Sequence, residues 1–162
     1  MPTVMNPHHF SHGGKVSRTS PQKVCISLGV ALIIIGFVGV FMPGFLALHL
    51  SMAHNLVNMI SGAFALWCGY SNSSRSVTFC LIFGALWGFL GIVGFILGAP
   101  GYPGVGNMEA DQNLFRLIPN FLEFGTMDHI AHLLVSTFLL LTAYTFRKDR
   151  SYVRSFNVKK KL

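Results

Sequence analysis

The stretch "HLSMAHNLVNMISG" (His49–Gly62) carries two histidines and two asparagines at the start of a long apolar segment. Its reading decides the fold. It opens the second of four apolar spans, and its polar residues either form a site or fix how the spans pack. The chain around it has 162 residues, 52% hydrophobic and 10% charged. Soluble domains carry about 25% charged residues, so the deficit is large. Runs of about 20 apolar residues with almost no charge read as transmembrane helices. Such runs fall at about 24–42, 50–70, 77–97 and 127–146. The first stops at "MPG", the third at "GAPGYPG", and the fourth at "RKDR". The turn "SNSSR" separates the second from the third. The fold class expected is all-α, a four-helix transmembrane bundle. The loop before the fourth span contains "NLFRLIPNFLEF", read as a short amphipathic piece on the membrane surface.

Charge is distributed as a membrane protein requires. The net charge of +7 does not indicate nucleic acid, because the cations flank the apolar spans. Lys15, Arg18 and Lys23 precede the first span, and Arg75 sits in the turn after the second. Arg147, Lys148, Arg150, Arg154, Lys159, Lys160 and Lys161 follow the fourth, against Asp149. Glu109, Asp111, Glu123 and Asp128 lie between the third and fourth spans with Arg116. The positive-inside rule then puts both termini, with residues 1–21 and 147–162 as tails, in the cytoplasm. Arg147, Lys148, Arg150, Lys159, Lys160 and Lys161 are expected to meet anionic lipid headgroups. The partners expected are the bilayer and either another membrane protein or further copies of the chain, with no nucleic acid.

Two pairs of segments resemble one another. "GFVGVFMPG" (36–44) matches "GIVGFILGAPG" (91–101) in its glycine spacing, and "HNLVNMISG" (54–62) matches "DHIAHLLVS" (128–136) in its polar opening. The first two spans therefore read as a hairpin repeated by the last two, in parallel about an axis along the membrane normal. Glycines at 29, 36, 84, 88, 91, 94 and 98 would let helix backbones approach closely.

The candidate site follows from spacing. His54 and Asn58 share one helix face, as do Asp128 and His132, and His129 stands about 100° from Asp128. Polar groups facing hydrocarbon cost on the order of a few kcal/mol each. His54, Asn58, Asp128, His129 and His132 are therefore expected to turn inward and converge in the outer half of the bundle. His49 is expected at the surface, outside that cluster. Interhelical hydrogen bonding is the first reading. A metal, haem or quinone site is the alternative, with His54, Asp128 and His132 as metal ligands. Asn58 is a poor ligand, so no cofactor is predicted. A small ion, ligand or proton pathway is the third reading. Cys25, Cys68 and Cys80 lack CxxC spacing and read as small buried residues. The histidines His8, His9 and His12 read as part of a tail. No nucleophile elbow or phosphate loop is visible, so the expectation leans away from an enzyme.

"GVALIIIGFVGVFMPG", "HNLVNMISG" and "MDHIAHLL" resemble the pattern of a bacterial membrane family, domain-of-unknown-function family 4383. In that pattern a glycine-rich first span ends at proline, a second span opens with HNxxH, and a last span opens with DNxxH. Asn58 stands where the family has its second histidine, and His129 where it has asparagine. The resemblance spans about residues 24–146. It implies a four-helix protein of a bacterial inner membrane and carries no activity with it.

Overall fold

The computed structural model describes the backbone of residues 18–104 and 109–159, and the side chains of 18–104 and 109–148. The tail histidines His8, His9 and His12, and the side chains of Arg150, Lys159, Lys160 and Lys161, lie outside these residues. Four helices are present: α1 (Ser20–Phe41), α2 (Met52–Ser71), α3 (Ser73–Leu97) and α4 (Thr126–Lys159). Among the described residues, three segments are long and apolar enough to cross a membrane: Ser20–Phe41, Ser73–Leu97 and Thr126–Lys148, with mean hydropathies of 2.8, 2.4 and 1.5. Helix α2 has 20 residues and no charged side chain, but His54, Asn55 and Asn58 lower its hydropathy.

The helix ends follow local chemistry. Pro21 in the first turn of α1 gives up an N–H that has no helical partner. Thr19 N–H donates to Gln22 Oε1 at 3.1 Å, reciprocating the cap. Helix α1 thus begins at Ser20, ahead of the expected position 24. Asn72 ends α2 and caps α3, accepting from Arg75 N–H at 2.9 Å. That single residue makes the turn, so α2 and α3 are nearly contiguous. At the far end, α4 continues as helix beyond "RKDR" to Lys159.

The all-α expectation needs one correction. Between α3 and α4, three short strands form an antiparallel sheet of order β1-β2-β3, with β1 Ala99–Gly101, β2 Asp111–Ile118 and β3 Leu122–Phe124. The piece read as a short amphipathic segment on the membrane surface is the β2–β3 hairpin. Pro119 would break a helix at its middle, and Asn120 takes a left-handed φ of 61° in the turn. Buried Glu123 closes the hairpin. Its carboxylate accepts from Asn120 N–H (3.0 Å) and Gly104 N–H (2.7 Å) and pairs with Arg116 Nε at 3.3 Å.

Helix α1 packs chiefly on α2, and α3 chiefly on α4. The interior combines small and polar residues with a few large apolar ones such as Phe79 and Leu139, and the outside is largely apolar. Helix α1 buries Pro21, Cys25, Gly29, Leu32, Gly36 and Gly39 and exposes Ile34 and Phe37. Helix α3 buries Ser76, Cys80, Gly84, Trp87, Gly91 and Gly94 at the same successive spacings, adding Val77 and Phe79. The partner helices also run in step. His54, Asn55, Gly62, Ala65 and Gly69 are buried on α2, and Asp128, His129, Ser136, Leu139 and Ala143 on α4.

The contacts repeat with the burial. A Cβ on Gly36 would lie 2.7 Å from the Asn55 carbonyl oxygen, and one on Gly91 3.0 Å from that of His129. Gly39 abuts the Asn55 side chain, and Gly94 the His129 ring. Gly29 lies against the Gly62 carbonyl, while Ser136 Oγ donates to the Gly84 carbonyl at 2.6 Å. Each glycine is needed for close approach of two helices. Gly36→Val should cost about 1–3 kcal/mol by overpacking against backbone. Ile34→Val, on the exposed face, should cost much less. Thermal melting of the purified variants in detergent checks this, and equal losses would show that the glycine contact does not matter.

Candidate functional site: a buried Asp–His cluster under the sheet

The cluster is built on the α1–α2 loop, the start of α2 and the start of α4. After Met42 the chain turns through Phe45–Ala47, where Leu46 and Ala47 both take φ of 57°. Leu50 N–H then returns to the Pro43 carbonyl at 2.9 Å. This folds His49 inward. Ser51 caps α2 through His54 N–H (3.2 Å), and its hydroxyl donates to the Phe121 carbonyl at 2.8 Å. One side chain thus starts α2 and ties it to the sheet.

Asp128 is 1% exposed and forms the centre. Its Oδ2 accepts from Gly125 N–H (2.8 Å), His49 N–H (3.1 Å) and His49 Nδ1–H (3.2 Å). It therefore caps its own helix, with its charge at the positive end of α4, and also grips the loop before α2. His54 lies 3.9 Å from Asp128 Oδ1 and donates Nδ1–H to the His49 carbonyl at 2.9 Å. Gly125 has to be glycine here, because a Cβ would enter the His49 ring.

The surface position expected for His49 is therefore corrected. His49 is 6% exposed and is the main side-chain partner of Asp128. The apolar run starts right after it, so its role is not visible until the loop folds back. Burial lowers its pKa, but the hydrogen bond and charge of Asp128, with Asp111 and Glu123 nearby, outweigh burial and raise it above 6.5.

The other expected residues divide into two groups. His132 joins the cluster, with ring centroids 6.3 Å from His54, 5.4 Å from Phe124 and 6.0 Å from Trp87. Asn58 is buried one turn along α2 from His54, and its side chain makes no hydrogen bond among the described residues. His129 does not join. It points towards α3 and the sheet, donating Nε2–H to the Asn113 carbonyl at 2.8 Å and meeting Phe95 edge-on.

Two further residues were absent from the sequence-derived set. Asn55 donates to the Leu50 carbonyl at 3.2 Å and packs on Gly39. Asp111 on β2 accepts from Thr126 N–H (2.9 Å), Thr126 Oγ (2.7 Å) and Asn113 N–H (2.8 Å), which secures the start of α4. Partial burial raises the Asp111 pKa, and these hydrogen bonds more than reverse it, leaving it below the usual 3.8.

Chemically, the cluster offers an Asp–His pair without a nucleophile. No hydroxyl or thiol bonds a histidine ring among the described residues. The three thiols lie at the opposite end, with Cys25 and Cys80 sulfurs 3.9 Å apart. No group of three His, Cys, Asp or Glu side chains among the described residues is placed to hold a metal ion. Several buried polar atoms in or beside the cluster make no hydrogen bond among the described residues: His49 Nε2, Asp128 Oδ1 and His132 Nδ1. The chain matches no known protein family, no curated protein and no solved structure.

The His49–Asp128 pair predicts a pH dependence. Because folding raises the His49 pKa, its contribution to stability is fully present below about pH 6.5 and is lost as pH rises through the folded value. The melting temperature should therefore fall more from pH 6 to pH 8.5 in the native chain than in His49→Gln. Parallel curves would show that the pair adds nothing. Asp128→Asn should cost about 1–3 kcal/mol, and a double-mutant cycle with His49→Gln should give coupling above about 0.5 kcal/mol.

Proposed function

We propose that the chain is a four-span membrane protein with a non-enzymatic role, an accessory component of a membrane complex. The observation carrying this reading is the inverted face of α2. Leu56, Ile60, Phe64 and Trp67 are exposed, whereas His54, Asn55, Asn58 and Ser61 are buried. In water that arrangement is unfavourable, and in lipid it is what burial cost demands. Helix α1 likewise exposes large apolar residues, Ile34, Phe37 and Phe41, and this outward apolar surface supports α2 as the fourth span despite its lower hydropathy.

The two hairpins then form a parallel repeat. Matched burial spacings and matched glycine contacts support that reading more strongly than apolar similarity alone. Arg18 over the Tyr70 ring (4.6 Å) and Arg75 over the Trp67 ring (4.9 Å) form a cationic, aromatic belt at one end. Such belts sit at headgroup level. With Arg147 and Lys148, they favour this end as the cytoplasmic one, with both termini there and the sheet outside. The family resemblance favours the bacterial cytoplasmic membrane. The basic extension of α4 beyond Phe146 would meet anionic headgroups or a partner protein.

A binding role for the cluster is the second reading, supported by its unpartnered polar atoms. A water, an ion or a quinone head would satisfy them. Of the candidate ligands, His54 lies 3.9 Å from Asp128 Oδ1, and its ring centroid is 6.3 Å from that of His132.

Topology gives the direct test. The native thiols Cys25, Cys68 and Cys80 are at most 3% exposed, so their labelling background is low. In intact cells, Asn120→Cys should react with an impermeant maleimide, and Asn72→Cys should react only after permeabilisation. The opposite pattern would overturn the orientation. Labelling of both sites in intact cells would overturn the four-span reading. Metal analysis and a visible spectrum of the purified protein test the second reading, which fails if neither metal nor chromophore copurifies.

A further inference from the structure

At the end remote from the Asp–His cluster, α2 and α3 diverge around a groove with a volume of about 200 Å³. Its walls are Phe64, Trp67, Phe79, Ile82 and Phe83, with Arg75 in the first turn of α3. We propose that this groove is a binding site for one anionic phospholipid, whose phosphate meets Arg75 and whose acyl chain lies along the aromatic wall. The proposal rests on the membrane-spanning reading above and adds to it a discrete site with a stated ligand.

Three observations favour this occupant. The first is charge. Residues 1–108 contain no Asp or Glu, and no carboxylate among the described residues pairs with Arg75. The guanidinium sits over the Trp67 ring at 4.9 Å. The Arg75 side chain makes no hydrogen bond or ion pair among the described residues, so its N–H donors can meet a phosphate. The second is depth. From Arg75 to Phe83 the groove follows α3 for about 12 Å at 1.5 Å per residue. That is most of one leaflet of a hydrocarbon core about 30 Å thick. The third is size and exposure. The volume of about 200 Å³ lies below the roughly 300 Å³ of compact ligand pockets, so the groove holds part of an extended chain rather than a whole drug-sized ligand. Trp67 and Ile82 remain more than half exposed, so the groove is open on the side where lipid tails lie.

The source of the phosphate matters, because a free phosphate would also be drawn to Arg75. The apolar wall gives affinity only to an attached chain. One cation near the surface supplies roughly a fivefold preference for an anionic headgroup over a zwitterionic one.

The test uses the full chain in nanodiscs containing phosphatidylcholine with increasing brominated lipid. The chain has two tryptophans, Trp67 and the buried Trp87. Brominated phosphatidylglycerol should quench fluorescence at about fivefold lower mole fraction than brominated phosphatidylcholine. Trp67→Phe should remove most of that quenching. Arg75→Gln, at an exposed position, should abolish the preference while leaving the melting temperature unchanged. Millimolar inorganic phosphate should not compete. Equal quenching by both lipids, a preference surviving Arg75→Gln, or displacement by inorganic phosphate would each overturn the lipid site. If the chain entered nanodiscs and showed no preference, the membrane reading would stand and only this site would fall. If it did not enter a bilayer at all, both would fall together.

Discussion

A carboxylate held at 1% exposure has to be compensated, and the outer end of this molecule is organised around that need. Asp128 draws three N–H groups onto one oxygen, one from the turn before α4 and two from His49. Satisfying those bonds pulls the α1–α2 loop across the bundle and brings the start of α2 beside the start of α4. Few backbone contacts join these two helices directly, so side chains carry the connection. The same closure positions Ser51 to hold β3 through the Phe121 carbonyl. The sheet, the loop and two helix starts are thus coupled through one ionised group.

Small residues do at the helix interfaces what Asp128 does at the end. In lipid there is no hydrophobic drive to bring two apolar helices together, so close backbone approach must supply dispersion contacts. Gly29, Gly36 and Gly39 provide it in the first hairpin, and Gly84, Gly91 and Gly94 in the second. The polar side chains of α2 and α4 occupy the clefts so formed. Asn55 sits against Gly39, and His129 against Gly94. A polar group placed there is shielded from lipid and still reaches a loop or strand carbonyl beyond the helix end.

The helices were legible because apolar run length and Pro, Gly or Asn at their ends are local signals. Convergence of His54, Asp128 and His132 was also legible, since spacing of four fixes a helical face and burial cost fixes its direction. The sheet was not. "NLFRLIPNFLEF" contains apolar residues that suit a helix face as well as a strand, and Pro119-Asn120 was the feature that favoured a turn. His49 was missed for a different reason. Its burial depends on a loop with left-handed backbone at Leu46 and Ala47, which is residue geometry that leaves no pattern in the sequence. His129 was drawn into the cluster on nearness to Asp128 alone, but 100° of helix rotation takes it to a different neighbour.

The proposed repeat accounts for a further feature, the unlike residues at equivalent positions. His54 corresponds to Asp128, Asn55 to His129, and Asn58 to His132 in the aligned segments. Two identical hairpins about an axis would place like groups opposite one another, and two buried aspartates or two buried histidinium ions would repel. Here the equivalent pair His54 and Asp128 meet 3.9 Å apart with complementary character. The Cys25 and Cys80 pair, also equivalent, stays alike because neutral thiols at 3.9 Å carry no such penalty. At the polar end the acid is one-sided, with Asp128 on α4 and no acid on α2.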